Sequence, residues 1–150
     1  MKFKFITPSH AYYRDELMLR WEVLRKPLGM PPGSEVIAQE MECTHLLVMV
    51  NKKIIGCLLF HPQTSTSGEI MQLALSEEYR GQGCARKLLH ALEQSLTTQG
   101  ITDVSVEARE ELQGFYHRLG FHYNGDVVEK MGSAYRSMIK SLLVNELHTA

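Results

Sequence analysis

Residues 73–89 form the segment of the sequence that is best suited to bind an anion. An apolar run passes into a turn that contains Gly81 and Gly83, and an amphipathic helix is predicted to follow directly. Glycine lets the backbone approach a ligand closely, because no side chain intervenes. The free N–H groups of the first helical turn, together with the helix dipole, favour a pyrophosphate at this position. Arg80 and Arg86 would add positive charge at its rim.

The common nucleotide-binding motifs are absent from the sequence. A P-loop requires GxxxxGK followed by Ser or Thr, which does not occur, and a dinucleotide-binding fingerprint requires a third glycine where Arg86 stands. Glycines at the start of a helix also occur in turns that have only a structural role. The turn by itself therefore leaves open whether it binds a ligand.

Composition and charge fit a single globular domain over residues 1–150. Hydrophobic residues make up 44% of the chain, which is enough for one core, and the formal net charge is -1 at pH 7. This balance provides no electrostatic footprint for nucleic acid or for an anionic membrane surface. No apolar run approaches the ~20 residues that span a bilayer, and the N-terminus lacks the apolar core of a signal peptide. We therefore expect a cytoplasmic protein.

The three cysteines, Cys43, Cys57 and Cys84, are odd in number and form no CxxC pair. This pattern favours reduced thiols over a disulfide framework or a structural zinc site. The histidines show no metal-ligand spacing, so we predict no metal.

Hydrophobic periodicity predicts an α/β fold with a sheet of mixed direction. The predicted strands are residues 2–6, 45–50, 54–60, 69–75, 104–108, a stretch from 121 onward and about 135–143. The second and third of these strands, with residues 51–53 between them, are predicted to form an antiparallel hairpin. The predicted helices are 11–25 with Ser9 as cap, 81–99 ended by Gly100, and 111–119 ended by Gly120. The apolar face of the first helix is predicted to consist of Tyr13, Leu17, Trp21 and Leu24. Three prolines and two glycines make residues 26–44 largely a loop, with a short helix over 35–42.

Two motifs resemble the GNAT acetyltransferase superfamily. Residues 80–85, Arg-Gly-Gln-Gly-Cys-Ala, resemble its R/Q-x-x-G-x-G/A acyl-CoA signature, and residues 73–75 resemble its bulged strand. The second motif lies downstream and consists of Ala108-Arg109, Phe115-Tyr116 and Leu119-Gly120-Phe121. It resembles the family's pattern of a strand followed by an FYxxLGF helix. Arg109 departs from the asparagine that many members have, and Leu112 from a common alanine.

The resemblance implies a fold and a cofactor. The implied fold is a mixed central sheet of about six to seven strands with flanking helices and a bulged, splayed central strand. The implied cofactor is acetyl-CoA, with CoA as product and no metal. The residues implied to bind it are Leu73, Ala74, Leu75, Arg80, Gly81, Gln82, Gly83, Cys84, Ala85, Arg109 and Tyr116.

Direct acetyl transfer to an amine requires a base, because a lysine-like amine with a pKa of about 10.4 is mostly protonated at pH 7. Glu69 begins the strand that carries the cofactor, and the resemblance implies that it acts as base through water. A solvated carboxylate at the end of a strand is the alternative interpretation. His61, at the end of the neighbouring predicted strand, is a rival base.

The resemblance also implies that Tyr116 is the acid that protonates the departing thiolate of CoA. A phenol with a pKa near 10 carries its proton at neutral pH and can donate it. The alternative is a tyrosine that only packs in the core. The backbone N–H of Leu73 would stabilise the oxyanion, and Cys84 is not expected to act as a nucleophile, because the family transfers the acyl group directly.

The acceptor amine is not determined by the sequence. The first helix and residues 26–44 flank the acyl site in the fold that the resemblance implies, and Glu35, Glu40 and Glu42 there could attract a cationic amine. A solvated acidic loop is the alternative interpretation of these carboxylates. Trp21 could line the same pocket or lie in the core. Small amines and peptide amines both remain open, members of this family often dimerise, and a non-catalytic acyl-CoA sensor is the alternative function.

Overall fold

The computed structural model of the protein describes residues 1–143. The strands of this part of the chain are β1 Lys2–Ile6, β2 Thr44–Val50, β3 Lys53–Pro62, β4 Ser67–Leu75, β5 Asp103–Arg109, β6 His122–Lys130 and β7 Ser133–Ser141. Its α-helices are α1 Tyr13–Arg20, α2 Cys84–Thr98 and α3 Glu110–Arg118. A π-helical turn, Trp21–Arg25, continues α1, and short 3₁₀ turns follow at Lys26–Leu28 and Glu77–Tyr79.

The seven strands form one sheet in the order β1-β2-β3-β4-β5-β7-β6. β4 and β5 run parallel, whereas the pairs β1–β2, β2–β3, β5–β7 and β6–β7 are antiparallel. A parallel pair needs a crossover between its strands, and α2 lies in the chain between β4 and β5. The prediction of an α/β fold with a mixed sheet of six to seven strands is therefore confirmed.

The chain divides into two compact units. The first consists of residues 1–61 and 71–94, and the second of residues 62–70 and those from Ser95 onward. In the first unit, α1 packs on β2 and β3 through an apolar cluster that includes Leu19, Leu47 and Cys57. Asn51 and Lys52 form the β2–β3 hairpin turn with φ of 49° and 65°, as the predicted hairpin requires of a two-residue connection.

In the second unit, the start of β4 pairs with β5 from Ser67, opposite Asp103, to Ile70, opposite Val106. Val104, Val106 and Ala108 are buried, which confirms the alternation predicted for this strand. Tyr116 and Phe121 belong to the same core. β6 is the edge strand, and all nine of its residues are exposed.

The first helix differs from its prediction in both its start and its buried face. α1 begins at Tyr13, and Ser9 does not cap it, because its hydroxyl bonds to that of Thr7. The buried residues of α1 are Glu16, Leu19 and Arg20, while Leu17 and Trp21 are only partly buried. The predicted face is confirmed in part, because Tyr13 and Leu24 pack against the core cluster. It missed Glu16 and Arg20, which are buried because they neutralise each other inside the protein.

Two further boundaries differ from the predictions. Residues 35–42 form turns and not a short helix, because the backbone N–H of Ile37 bonds to the Glu40 carboxylate. α2 begins at Cys84, since the φ of +75° at Gly81 and +80° at Gly83 are incompatible with a right-handed helix. The three cysteines are free and buried. Within residues 1–143, none of the helices has the length and apolar character needed to cross a bilayer.

Two glycine substitutions should have opposite effects on stability. A Cβ at Gly56 would lie 2.5 Å from Leu75 Cδ2 and 2.7 Å from Val48 Cγ1, so Gly56→Ala should lower the free energy of unfolding by about 1–3 kcal/mol. Gly114 lies in α3, where a Cβ meets only Arg118 at 3.5 Å, so Gly114→Ala should raise it by about 0.5–1 kcal/mol. Urea unfolding of both variants measures the two effects. A Gly56→Ala variant as stable as the wild type would contradict the close packing of β3 on β4.

Candidate active site

The turn before α2 has the backbone conformation of an anion-binding site. Gly81 and Gly83 have φ of +75° and +80°, a region that L-residues with side chains rarely adopt. A Cβ at Gly81 would have no neighbour within 4 Å, and one at Gly83 would meet only Arg86 Nη2 at 3.9 Å. The glycines are therefore required for the backbone conformation, and the space beside them is open.

The start of α2 leaves backbone donors available. The backbone N–H of Lys87 donates to the carbonyl of Gly83 at 3.1 Å. Helical geometry therefore gives the preceding N–H groups, those of Cys84, Ala85 and Arg86, no acceptor within the helix. The turn itself is fastened by Gln82, whose side chain donates to the Glu78 carbonyl at 2.8 Å. Within the predicted residues 80–85, Cys84 and Ala85 thus present free N–H groups at the positive end of the α2 dipole, and Arg86 adds a third.

β4 contains an irregularity next to its predicted cofactor-binding residues. Gln72 has a φ of +53°, which is unusual for a non-glycine residue and typical of a β-bulge. Its carbonyl accepts a weak hydrogen bond from the Cys57 thiol at 3.7 Å. Its side-chain Oε1 is buried and has no hydrogen-bond partner among the described residues. The irregularity lies directly before Leu73, where the family resemblance implies a bulged strand.

Glu69 lies in the second unit, on β4 opposite Ser105 of β5. The side chain is partly buried, and its Oε1 accepts a hydrogen bond of 3.4 Å from the Gln63 amide. A carboxylate has about four lone-pair directions, so this one long bond leaves acceptor capacity for a water molecule or an amine. This environment is compatible with a base and also with a solvated carboxylate.

His61 at the end of β3 has a carboxylate partner. Its Nε2 lies 3.3 Å from Glu42 Oε2, and its side chain is 23% exposed. A carboxylate oxygen at this distance can accept a hydrogen bond from the ring and so orient it. His61 and Glu42 therefore form a solvent-accessible pair in the first unit. This arrangement is compatible with His61 as the alternative base.

Tyr116 is buried on α3, with an exposed fraction of 2%. Its ring contacts those of Phe115 and Phe121, with centroid distances of 5.2 and 5.3 Å. Burial raises the pKa of its phenol above the usual value, so the hydroxyl keeps its proton throughout the neutral range. Proton retention suits a general acid, whereas the aromatic surroundings equally suit a core tyrosine.

Arg109 lies at the end of β5, directly before α3. Its guanidinium bonds to Glu111, with Nε and Nη2 at 2.9 and 2.7 Å from the same carboxylate oxygen. A backbone hydrogen bond, and to a smaller extent this pairing with Arg109, lowers the pKa of Glu111 below its usual value. The charge of Arg109 is therefore partly neutralised, which limits its value as a phosphate contact.

A buried group of charged side chains was missed by the sequence analysis. Arg20, with no exposed surface, bonds to Glu16 at 2.9 Å and to Glu40 at 2.5 and 3.0 Å, and His45 lies 2.9 Å from Glu16. Glu16, Glu40 and His45 offer ligand atoms within 4.8 Å of one another, as a metal site would. The guanidinium already bridges both carboxylates, so this group is an ion-pair network. The only sequence signal was the i,i+4 spacing of Glu16 and Arg20.

This network changes the interpretation of the acidic residues in the long loop. Glu35 and Glu40 are 6% and 5% exposed, and Glu40 is neutralised by Arg20. Glu42 is exposed but pairs with His61. The expectation that all three carboxylates attract a cationic amine is therefore wrong for Glu40, because its charge is already compensated.

Two cavities flank α1 in the first unit. The larger one, of about 1090 Å³, is lined by charged residues of both signs: the acidic Asp15, Glu22, Glu77 and Glu78 and the basic Lys52, Lys53 and Arg80. The smaller one, of about 540 Å³, is mainly apolar and includes Tyr13, Trp21 and Glu35. The indole N–H of Trp21 donates to the Met30 carbonyl at 3.0 Å, so this side chain joins α1 to the loop and lines a cavity, with its ring partly exposed.

Comparisons with known proteins agree with these observations. A family model described as an acetyltransferase (GNAT) domain matches residues 30–142. The N-alpha-acetyltransferase 30 of Schizosaccharomyces pombe is 31% identical over 120 residues, which are 75% of this chain and 79% of that protein.

Two solved structures show the same fold. An acyl-CoA N-acyltransferase from Pseudomonas aeruginosa has a TM-score of 0.80 at 21% identity, with 93% of this chain and 98% of that chain covered. A GNAT family acetyltransferase from Elizabethkingia anophelis with acetyl-CoA bound has a TM-score of 0.70 at 14% identity, with 93% and 97% covered. Since the family model spans most of this chain and an N-acetyltransferase is 31% identical over three quarters of it, the chain belongs to the GNAT family of acyl-CoA-dependent N-acetyltransferases.

Proposed function

We propose that the protein transfers the acetyl group of acetyl-CoA to a primary amine by direct attack, without an acyl-enzyme. The observation that carries this proposal is the turn before α2, where two glycines at positive φ precede a row of free N–H groups. This arrangement suits the pyrophosphate of CoA. The acetyl-CoA bound to the structural neighbour from Elizabethkingia anophelis supports the same cofactor.

In this proposal residues 80–85 bind the pyrophosphate chiefly through the backbone. The Cys84 side chain is 1% exposed, so it packs inward while its N–H remains available to the ligand. A buried thiol at the start of a packed helix is also poorly placed to attack a thioester. The proposal therefore gives Cys84 no covalent role.

Gly83→Glu should weaken CoA binding, because it places a side chain and a negative charge beside the pyrophosphate. We expect a loss of affinity of roughly tenfold or more, equivalent to about 1.4 kcal/mol. Gly100→Glu is the matched control, since Gly100 has a similar φ of +83° and lies just beyond the other end of α2. Isothermal titration calorimetry with CoA compares the two folded variants. Equal affinities would contradict a pyrophosphate site at this turn.

The acceptor amine must lose a proton before or during attack, and we propose Glu69 as the base that accepts it. Its single long hydrogen bond leaves oxygen lone pairs available for a water molecule that relays the proton. The tetrahedral intermediate would be stabilised by the backbone N–H of Leu73, beside the irregular Gln72.

Glu69→Gln keeps the side-chain size but removes the base, so kcat should fall by roughly 10²-fold. The loss should be largest below the pKa of the amine, where most of the acceptor is protonated. A pH–rate profile of this variant beside His61→Gln assigns the base. A normal profile for Glu69→Gln together with a reduced rate for His61→Gln would transfer the role to the His61–Glu42 pair.

We propose that Tyr116 donates a proton to the sulfur as the C–S bond breaks. The thiol of CoA should resemble that of cysteine, with a pKa of roughly 8.5, so its thiolate can leave unaided but benefits from protonation. The raised pKa of the buried phenol keeps the required proton on the oxygen before the reaction.

Tyr116→Phe removes only the hydroxyl, so turnover should fall by about 10-fold to 10³-fold with CoA affinity and melting temperature nearly unchanged. Phe121→Leu is the packing control, because it disturbs the same aromatic cluster without removing a proton donor. That variant should lose stability and retain turnover per folded molecule. Full activity of Tyr116→Phe would leave Tyr116 with a packing role only.

The acceptor is best sought among amines of different pKa. The name of the Schizosaccharomyces pombe relative refers to an α-amino group, whose pKa of about 7.7–8.0 demands less of the base than that of lysine. We propose a panel of trialanine, lysine, spermidine and kanamycin, with release of free CoA as the signal. CoA binding without turnover of any acceptor, tested over a wider set of amines, would favour the alternative of an acyl-CoA sensor.

A further inference from the structure

Both ring nitrogens of the buried His45 face oxygen atoms that can only accept hydrogen bonds. Nδ1 lies 3.0 and 2.9 Å from the two carboxylate oxygens of Glu16, and Nε2 lies 2.9 Å from the carbonyl oxygen of Glu40. A neutral imidazole carries one N–H, whereas an imidazolium carries two. With Glu16 present as the carboxylate that also accepts from Arg20, only the charged form of His45 satisfies both contacts.

Like His45, Arg20 forms hydrogen bonds to the segment of residues 35–40. Nη1 and Nη2 of Arg20 reach the two carboxylate oxygens of Glu40, and Nη2 also donates to the Glu35 carbonyl at 2.6 Å. The Glu40 carboxylate in turn accepts the N–H of Ile37 at 3.1 Å. Two cations, Arg20 and His45, are thus balanced by two carboxylates inside the protein, and their polar contacts join the segment to α1 and β2.

The same segment forms part of the smaller cavity beside α1. Glu35 lines it together with Tyr13 and Trp21. A carboxylate and two aromatic faces favour a cationic or partly protonated amine, through charge and cation–π attraction. Tyr13 also bonds to the Glu40 carboxylate, so two of these three cavity residues are held by the network.

We propose that His45 is a positioning residue for acetyl transfer: as an imidazolium it holds residues 35–40, and with them the Glu35 side of the cavity, in the arrangement that receives the amine acceptor. The acceptor part of this inference rests on the proposed function. His45 touches no reacting atom in this proposal, and its effect is transmitted through Glu40 and Glu35.

The groups around His45 come from every element packed against it. They are Tyr13 and Glu16 of α1 and Glu40 of the loop, with Arg20 of α1, Cys43 of the loop and Cys57 of β3 next to Glu16 and Glu40. The residues opposite His45 on the flanking strands, Ile6 and Leu59, are apolar. Burial alone lowers the pKa of His45, but the hydrogen bonds to Glu16 and Glu40 outweigh it, so the pKa lies above its ordinary value.

The direction of the pH effect follows from this raised pKa. The stabilisation by His45 is fully present below the unfolded-state pKa of about 6.5 and is lost as the pH rises through the higher folded-state pKa. Deprotonation leaves one nitrogen without the proton that its oxygen partner needs and gives the buried network a net negative charge. Residues 35–40 should then loosen at alkaline pH.

The test combines NMR spectroscopy with kinetics on the full chain. At pH 7 the ¹⁵N shifts of His45 should show two protonated ring nitrogens, and the Ile37 amide should lose exchange protection as His45 deprotonates. Over the same pH range the KM of whichever amine of the panel turns over fastest should rise on the order of tenfold, the loss of one charged hydrogen bond. CoA affinity should stay constant.

In the His45→Gln variant residue 45 cannot carry a charge. The KM of this variant for the same amine should therefore be raised already at pH 7, and it should not rise further over the pH range in which His45 of the wild type deprotonates. His122→Gln, on the exposed edge strand β6, is the matched control and should behave as the wild type. A neutral His45 at pH 7, or loss of Ile37 protection with an unchanged KM, would overturn the inference. If His45→Gln does not fold, the wild-type titration alone decides. No turnover with any amine, while His45 titrates as expected, would contradict the proposed function and the acceptor role of His45, but not its charge.

Discussion

A buried guanidinium is tolerated only where its charge and its donors are matched, and Arg20 meets this condition through residues far apart in the chain. Removing one partner of such a group typically costs about 3–5 kcal/mol, because the remaining charge stays buried without compensation. The loop between α1 and β2 contains prolines and glycines and forms no regular helix or strand over residues 31–43. Its course over residues 35–40 is therefore determined by the side chains of Arg20 and His45 more than by backbone propensity.

The proposed cofactor site in the first unit depends on backbone conformation instead of side-chain charge. Gly81 and Gly83 adopt positive φ, and Gln72 does so inside a strand. Such conformations direct backbone N–H and C=O groups away from the regular ladder, where a ligand can use them. Arg109 illustrates the contrast, because its charge is largely engaged by Glu111. In the proposed function, a chain of formal net charge -1 would therefore bind the pyrophosphate mainly through backbone N–H groups.

The two proposed proton-transfer groups lie in opposite environments. Glu69 is partly buried with one long hydrogen bond, whereas Tyr116 is almost completely buried between aromatic rings. A base needs lone pairs that water or substrate can reach, and an acid needs an environment that keeps its proton until transfer. The environments of these two residues agree with the roles assigned to them, although a solvated carboxylate and a core tyrosine would have the same surroundings.

Short-range pattern in the sequence was sufficient for the mixed sheet, the β2–β3 hairpin and the glycine turn before α2, since alternation, periodicity and glycine conformation act over a few residues. The family resemblance added the cofactor and the candidate roles of Glu69 and Tyr116. The buried face of α1 was predicted only in part, because the sequence does not show that Glu40 and His45 pair with Glu16 and Arg20 and allow these charges to be buried. Those partners lie 20 and 29 residues away in the chain. Only the tertiary structure could decide that these charges compensate one another, because the free energy of a buried charge depends on its neighbours in space and not in sequence.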